Sequence, residues 1–178
     1  MRSLTALAAS LLIASAAAAQ DAPAVDPKDV ATPEAIVQAM YDVISGPAGQ
    51  PRNWDRMRGL MSPDARFYSA AILKDGSVQT SNYSVDKYVE LTSNVFARIA
   101  LFERGATLRI TRYGHTAVIE SPYESRHTPG DPAPFARGIN QFVLINDGKR
   151  WWVTEIIWEV ESPNNPLPPE AVAVLQAH

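Results

Sequence analysis

Carboxylates are the residues of this chain best suited to acid–base chemistry, and several lie on segments predicted to be β-strands. Glu120 stands out because it interrupts an apolar run over residues 117–119. A carboxyl group in apolar surroundings has a raised pKa and can transfer protons near neutral pH. Asp64 is the second candidate for such a base. The competing interpretation is that Glu120 faces outward and pairs with a nearby arginine, the options being Arg109, Arg126 and Arg137.

A second polar group flanks the loop rich in proline and glycine that begins at His127. If the strands on either side pair as a hairpin, arginine, tyrosine and asparagine side chains converge near its end. That mixture suits an anionic or carbonyl-bearing small ligand. The alternative is structural, with Arg126 and Arg137 only neutralising Glu120 and Glu124 across the strands. The residues of this group are Tyr83, Tyr123, Arg126, Arg137 and Asn140.

The last predicted strand has one face without charge, which is expected to lie on the concave, helix-covered side of a sheet. Trp158 is near the end of this strand, where its ring could form the floor of a pocket; ordinary core packing is the alternative. Trp54, on the apolar side of a short predicted helix, completes the candidate ligand-binding set. The charge-free face consists of Trp152, Thr154, Ile156, Trp158 and Val160.

Metal and cofactor chemistry finds little support in the sequence. The chain has no cysteine, which excludes disulfides and thiolate ligands. His115 and His127 are the only internal histidines, and they lack the close spacing of a metal site. There is no nucleophile elbow, phosphate loop or dinucleotide fingerprint. We therefore expect no metal and no cofactor.

The elements that must position these residues follow an α+β order. Thr32-Pro33-Glu34 is a strong helix start, and Ser84 is predicted to cap a third helix. Asp75-Gly76 and Asn146–Lys149 are hairpin turns. The order predicts an α+β fold in which helices cover one face of an antiparallel sheet. The predicted helices are about 33–44, 53–61, 84–99 and, weakly, 170–175; the predicted strands are 66–73, 102–113, 115–126, 137–145 and 150–161.

The N-terminus has the three parts of a cleavable signal peptide over residues 1–19. Arg2 provides the positive start, residues 4–16 the apolar core, and Ala17–Ala19 the small residues of the cleavage site. This predicts a periplasmic or secreted protein whose mature form has no membrane span. Residues 20–31 are predicted to be a flexible lead-in, 32–162 one domain, and 163–178 a proline-rich tail. The net charge of −3 without a basic cluster does not favour nucleic acid as a partner.

Both faces of the strand at 137–145 are apolar. Ile139, Val143 and Ile145 alternate with Phe142 and Leu144. A sheet buried on both faces needs a second layer, and a second copy of the chain is the simplest source of one. The sequence therefore predicts a homodimer.

Three stretches carry a resemblance to a known superfamily: NWDRMRGLMSPDARF, YESRHTPGDPAPFARGINQFVLINDGKRWWV and IIWEVESPNNPLPPE. With the element order, they resemble the nuclear-transport-factor-2-like fold, also called the SnoaL-like or cystatin-like cone, and in particular a group of secreted bacterial proteins without assigned activity. The likeness covers about residues 33–170. It implies a curved antiparallel sheet wrapped around helices, a cone-shaped α+β barrel, with a pocket at the open end and frequent dimers.

Because this fold hosts both enzymes and binding proteins, three functions stay open. The first is an exported domain that binds a small molecule in the cone pocket. The second is a cofactor-free isomerase, dehydratase or cyclase, which requires a carboxylate inside the cavity with a raised pKa. The third is a dimeric interaction module that uses the outer face of the sheet.

Overall fold

Residues 25–177 are described by a computed structural model, so the predicted signal peptide lies outside the described residues. Within them the chain forms a short 3-10 helix at Pro27–Val30, followed by four α-helices and seven strands. In chain order these are α1 (Pro33–Ile44), α2 (Trp54–Leu60), β1 (Met61–Ile72), β2 (Val78–Ser84), α3 (Val85–Phe96), β3 (Phe102–Gly105), β4 (Arg109–Tyr113), β5 (Thr116–Arg126), β6 (Ala136–Asn146), β7 (Trp151–Val160) and α4 (Pro169–Ala177).

All seven strands belong to one curved sheet, in the order β2-β1-β7-β6-β5-β3, with β4 also paired to β5. The α+β class is confirmed, but the sheet is mixed rather than wholly antiparallel, because β1 runs parallel to β7. These two strands are separated by most of the domain, and a connection of that length allows a parallel pair. The other strand pairs are antiparallel, as predicted.

The helix starts follow the capping residues. The Thr32 hydroxyl accepts the Ala35 N–H at 3.1 Å, and the Ser84 hydroxyl accepts the Lys87 N–H at 3.2 Å, so both predicted caps are confirmed. The apolar side of α1 lies on the inner face of the sheet, where the rings of Tyr41 and Phe142 meet edge to face at 5.8 Å. Burial of this side of α1 supplies much of the core.

The strand predicted over 102–113 is divided at residues 106–108. Opposite the break lies Pro122, which has no N–H to donate to a ladder. Gly105 lies opposite Tyr123, whereas Arg109 lies opposite Glu120. Gly105 and Arg109 are four residues apart along the chain, but their partners on β5, Tyr123 and Glu120, are only three residues apart. Because side chains alternate between faces, this shift reverses which residues of β3 point inward.

A bulge reverses the faces of β7 in the same way. Leu144 lies opposite Val153 and Val143 opposite Glu155, which leaves Thr154 as the extra residue. Trp151 and Val153 are buried before the bulge, and Ile156 is buried after it. The predicted inward face of β7 is therefore right for Ile156 and Trp158 but wrong for Trp152 and Thr154.

Both ends of the described chain pack against the domain. Val30, in the stretch predicted to be a lead-in, belongs to the hydrophobic core. Helix α4, in the predicted tail, buries Ala171 and Leu175 and packs on β5. Within residues 25–177, no helix is both long and apolar enough to cross a membrane.

Candidate functional site

A cavity of about 250 Å³ opens between the inner face of the sheet and helices α1 and α3. Its walls are mainly apolar, with Met40 and Ile44 from α1 and Phe142 and Ile156 from the sheet. Polar side chains are concentrated where β3, β5 and β6 meet α1. Pockets with apolar walls and a few converging polar groups are typical of small-molecule sites.

Three aromatic rings form a corner in the cavity wall. Phe67 and Tyr88 are stacked with their centroids 4.0 Å apart. Trp158 stands nearly perpendicular to both, at 6.5 Å from Phe67 and 6.3 Å from Tyr88. Such edge-to-face contacts hold aromatic side chains in fixed orientations. The corner gives the cavity a rigid aromatic wall.

Glu103 provides the carboxyl group of the cavity. Its Oε2 accepts a hydrogen bond from the Ser125 hydroxyl at 2.7 Å, and the Asn140 Nδ2 lies 3.5 Å from its Oε1. Within the described residues, no lysine, arginine or histidine forms an ion pair with this carboxylate. Burial raises the pKa of Glu103 to about 7, although the bonds from Ser125 and Asn140 act in the opposite direction.

A chain of neutral hydrogen bonds continues from Asn140. Its Nδ2 donates to the Tyr41 hydroxyl at 3.1 Å, and that hydroxyl lies 2.8 Å from the Ser121 Oγ. Because Ser121 donates its own proton to the Ala106 carbonyl at 3.0 Å, Tyr41 must be the donor to Ser121. Burial, together with the nearby Glu103 charge, raises the pKa of Tyr41. The phenol therefore stays protonated across the physiological range.

The end of α1 fixes β3, and with it Glu103. The Glu103 N–H donates to the Ser45 hydroxyl at 3.0 Å, and the Gly46 N–H donates to the Leu101 carbonyl at 2.6 Å. Gly105 allows the Tyr41 ring to lie directly on the strand, since a methyl group there would overlap that ring. Helix and strand thus place the carboxyl and the phenol against one another.

Three of the predicted ligand-binding residues line the cavity: Tyr123, Asn140 and Trp158. Trp54 and Tyr83 do not. The Trp54 ring instead stacks on Phe96 at 6.1 Å, and Tyr83 packs against the edge of the core.

The predicted arginines do not reach the cavity. Arg126 pairs with Glu124, and the Arg137 Nε donates to the Glu161 Oε2 at 2.8 Å. Of the partners expected in the structural interpretation, Glu124 is the one that Arg126 binds, whereas Arg137 pairs with Glu161 and Glu120 with Arg109. Among the described residues that line this cavity there is no arginine.

The predicted bases are also outside the cavity. Glu120 lies on the outer face, 3.5 Å from the Arg109 Nη1, and Asp64 is exposed. The prediction missed Glu103 because a regular hairpin closed at Gly114 would place Glu103 opposite Arg126, on the outer face. The one-residue shift at 106–108 places it opposite Ser125 instead.

Metal-ligating side chains do not cluster in the described part of the chain. Among residues 25–177, no three His, Cys, Asp or Glu side chains lie in an arrangement that could hold a metal ion. The polar groups that line this cavity are one carboxyl, one amide and several hydroxyls.

The sequence matches no protein-family model and no curated protein. Solved structures do match. A protein of unknown function with a cystatin-like fold from Nostoc punctiforme PCC 73102 has a TM-score of 0.54 at 10% identity, covering 75% of this chain and 90% of that one. An NTF2-like protein from Cytophaga hutchinsonii ATCC 33406 has a TM-score of 0.51 at 13% identity, covering 72% and 98%. An NTF2-like protein of unknown function from Shewanella baltica OS155 has a TM-score of 0.46 at 14% identity, covering 71% and 89%.

These likenesses concern architecture, since the identities are far below the level at which activity is shared. The two structures with TM-scores of 0.54 and 0.51 show the fold alone. The chain has the nuclear-transport-factor-2-like fold, also called the cystatin-like fold.

Proposed function

We propose that this domain binds a small, largely apolar molecule in the cone and holds its polar group against Glu103, Asn140 and Tyr41. The observation that carries the proposal is a cavity with apolar walls and polar groups concentrated in one region. Its volume of about 250 Å³ is slightly below the usual range for pockets, which starts at about 300 Å³. The ligand is accordingly small.

Filling the cavity tests this proposal. Small aromatic compounds are titrated against the wild type and against Thr92→Phe, which adds a ring to the cavity wall. The matched control is Gln141→Phe, which adds the same ring on the exposed outer face. We expect Thr92→Phe to weaken binding at least about tenfold, and Gln141→Phe to leave it unchanged. Thermal unfolding of both variants verifies that they fold; equal binding by all three proteins would refute a cavity site.

Acid–base catalysis by Glu103 is the second candidate function. The observation that favours it is a cavity-lining carboxyl whose pKa of about 7 leaves it half ionised near neutrality, as a general base requires. The Asn140 amide and the protonated Tyr41 beside it could bind an oxygen on which negative charge develops. No cofactor is needed for such a proton transfer.

Deuterium exchange tests the second candidate. The probe is cyclohexanone in D₂O, whose α-hydrogens exchange when a base removes them. We expect the rate to rise with pH and level off above about pH 7, because only ionised Glu103 accepts a proton. Glu103→Gln should lower it at least about 100-fold. A rate that is the same in Glu103→Gln, or that shows no titration near pH 7, would exclude Glu103 as the base.

We also propose that the domain works outside the cytoplasm, on the support of the leader-like sequence at residues 1–19. Mass spectrometry of protein recovered from a bacterial host tests this. The mature chain is expected to begin near Gln20 and to be found in the periplasm or medium. A cytoplasmic chain that retains Met1 or Arg2 would refute export.

A homodimer is proposed from the outer face of the sheet. Val118 and Ile145 are exposed by 42% and 43%, and exposed apolar groups that lie together are typical of interfaces. Sedimentation at several concentrations measures the oligomeric state. Ile145→Lys should shift a dimer toward monomer, whereas Lys74→Glu, on the β1–β2 turn, should not. A strict monomer at all concentrations would refute the proposal.

A further inference from the structure

The ionised side chain that lines the cavity is negative, and no positive one accompanies it among the described residues. Of the described residues that line it, Glu103 alone has an acidic side chain, and none is lysine, arginine or histidine. The nearby arginines, Arg104 and Arg126, both bind Glu124 on the outer face of the sheet. The cavity therefore offers negative charge without positive charge, and an anionic ligand would meet repulsion there.

The aromatic corner adds to the same bias. The faces of aromatic rings carry partial negative charge and attract cations. Trp158, whose indole ring gives the strongest such attraction, meets Tyr88 and Phe67 nearly at right angles. A cation placed in this cavity would find a carboxylate and aromatic rings around it.

The groups that face Glu103 are neutral on every packed element. Tyr41 of α1, Tyr88 of α3 and Tyr123 of β5 are phenols whose pKa burial raises. Ser125 and Asn140 donate uncharged hydrogen bonds. Glu103 also borders an outer groove lined by Asp42, Arg104, Arg126 and Asp131, but the two arginines there form their ion pairs with Glu124. An ionised Glu103 thus lacks a cationic partner, and a ligand could provide it.

We propose that the ligand of the cone is a small primary amine with an aromatic or aliphatic body, whose ammonium group pairs with Glu103 beside the Trp158 corner. The inference rests on the proposed binding function and names its ligand class. An ammonium has up to three N–H donors, which matches the carboxylate. Its body fits the apolar walls formed by Met40 and Ile156.

Three probes of nearly equal shape test the ligand class: 2-phenylethylamine, 2-phenylethanol and phenylacetate. They differ in charge, being cationic, neutral and anionic at neutral pH. Calorimetric titration at about pH 8.5 should show the amine binding at least about tenfold more tightly than the alcohol. Phenylacetate should bind most weakly. At about pH 5.5 the advantage of the amine should fall below about threefold, because Glu103 is protonated there while the amine keeps its charge.

Two matched variants locate the effect. Glu103→Gln should remove the preference for the amine at about pH 8.5, whereas Glu120→Gln on the outer face should preserve it. An alcohol that binds as tightly as the amine, or a preference that survives Glu103→Gln, would overturn the amine assignment and leave the binding proposal standing. No binding by any probe, with cavity-filled and wild-type proteins also behaving alike toward the aromatic compounds, would overturn both.

Discussion

Two glutamates on adjacent rungs of one strand pair have opposite surroundings. Glu103 lies opposite Ser125, and the next rung pairs Arg104 with Glu124. Glu103 faces the cavity, where burial raises its pKa to about 7 although the neutral hydrogen bonds from Ser125 and Asn140 act in the opposite direction. Burial also acts to raise the pKa of Glu124, but hydrogen bonds from Arg126 and Arg104 outweigh it and hold that pKa below the usual range.

The difference shows that the charge of the partners on each face of the sheet, rather than residue type, decides what a buried carboxylate can do here. The Glu124 side chain is only 8% exposed, yet its charge is neutralised and it serves to join β3, β5 and the loop after β5. Glu103 keeps its chemistry available because its partners carry no charge. Changing each glutamate in turn should therefore give effects of opposite sign.

Glu124→Gln should have the largest effect. The change leaves Arg126, whose side chain is 15% exposed, without its charged partner, and we expect a loss of about 3 kcal/mol in the free energy of unfolding at pH 7. Urea denaturation measures it. Since the folded pKa of Glu124 is lowered, its contribution is present above the unfolded pKa and is lost as pH falls through the folded pKa. A loss below about 1 kcal/mol would mean that the pair is not coupled to folding.

Glu103→Gln should stabilise the fold at about pH 8, by about 2 kcal/mol. The folded pKa of about 7 is above the ordinary value of 4.5, so the native state binds the proton more tightly. Wild-type stability from this group is then full below about pH 4.5 and falls as pH rises toward 7. Denaturation at several pH values should show no such slope in the variant; equal slopes would contradict the raised pKa.

Tyr41→Phe should cost about 1 kcal/mol, because Asn140 loses an acceptor and Ser121 a donor in a buried network. Tyr113→Phe is the matched control, since Tyr113 is 88% exposed. Thermal unfolding of both variants measures the difference. A Tyr41→Phe protein as stable as the control would show that neutral bonds contribute little to the inner face.

Glu120→Gln should have the smallest effect, within about 0.5 kcal/mol. Glu120 lies 3.5 Å from the Arg109 Nη1, and the Arg109 side chain is 67% exposed, so water screens the pair. Denaturation in low and high salt measures the change. An effect as large as that of Glu124→Gln would mean that the exposed face is not simply solvated.

Much of the fold could be predicted from local sequence. The capping residues Thr32 and Ser84, the turns at Asp75-Gly76 and Asp147-Gly148, and the alternation along β6 depend on neighbours in the chain. The parallel pairing of β1 with β7 could not, because it joins segments about 90 residues apart and no local pattern specifies it.

Residues of the candidate site were predicted correctly on strands whose side chains alternate regularly between the two faces. They were missed where a break in the strand shifts that alternation. Tyr123 and Asn140 lie on β5 and β6 in regular register with each other, and both line the cavity. Glu103 lies beyond the break opposite Pro122, where counting from the turn gives the wrong face. The arginines were misplaced for a related reason, since long side chains with adjacent acidic partners satisfy their charge on the exterior.

The extra residue in β7 also affects how this chain aligns with related sequences. Thr154 is one codon, and its loss would exchange the inward and outward sides of one half of the strand relative to the other. A relative that lacks the bulge should align with this chain only through a single-residue gap at that codon. An ungapped alignment across Thr154 would pair Trp158 with an outward-facing residue of the relative. The homology of the two strands would then be missed.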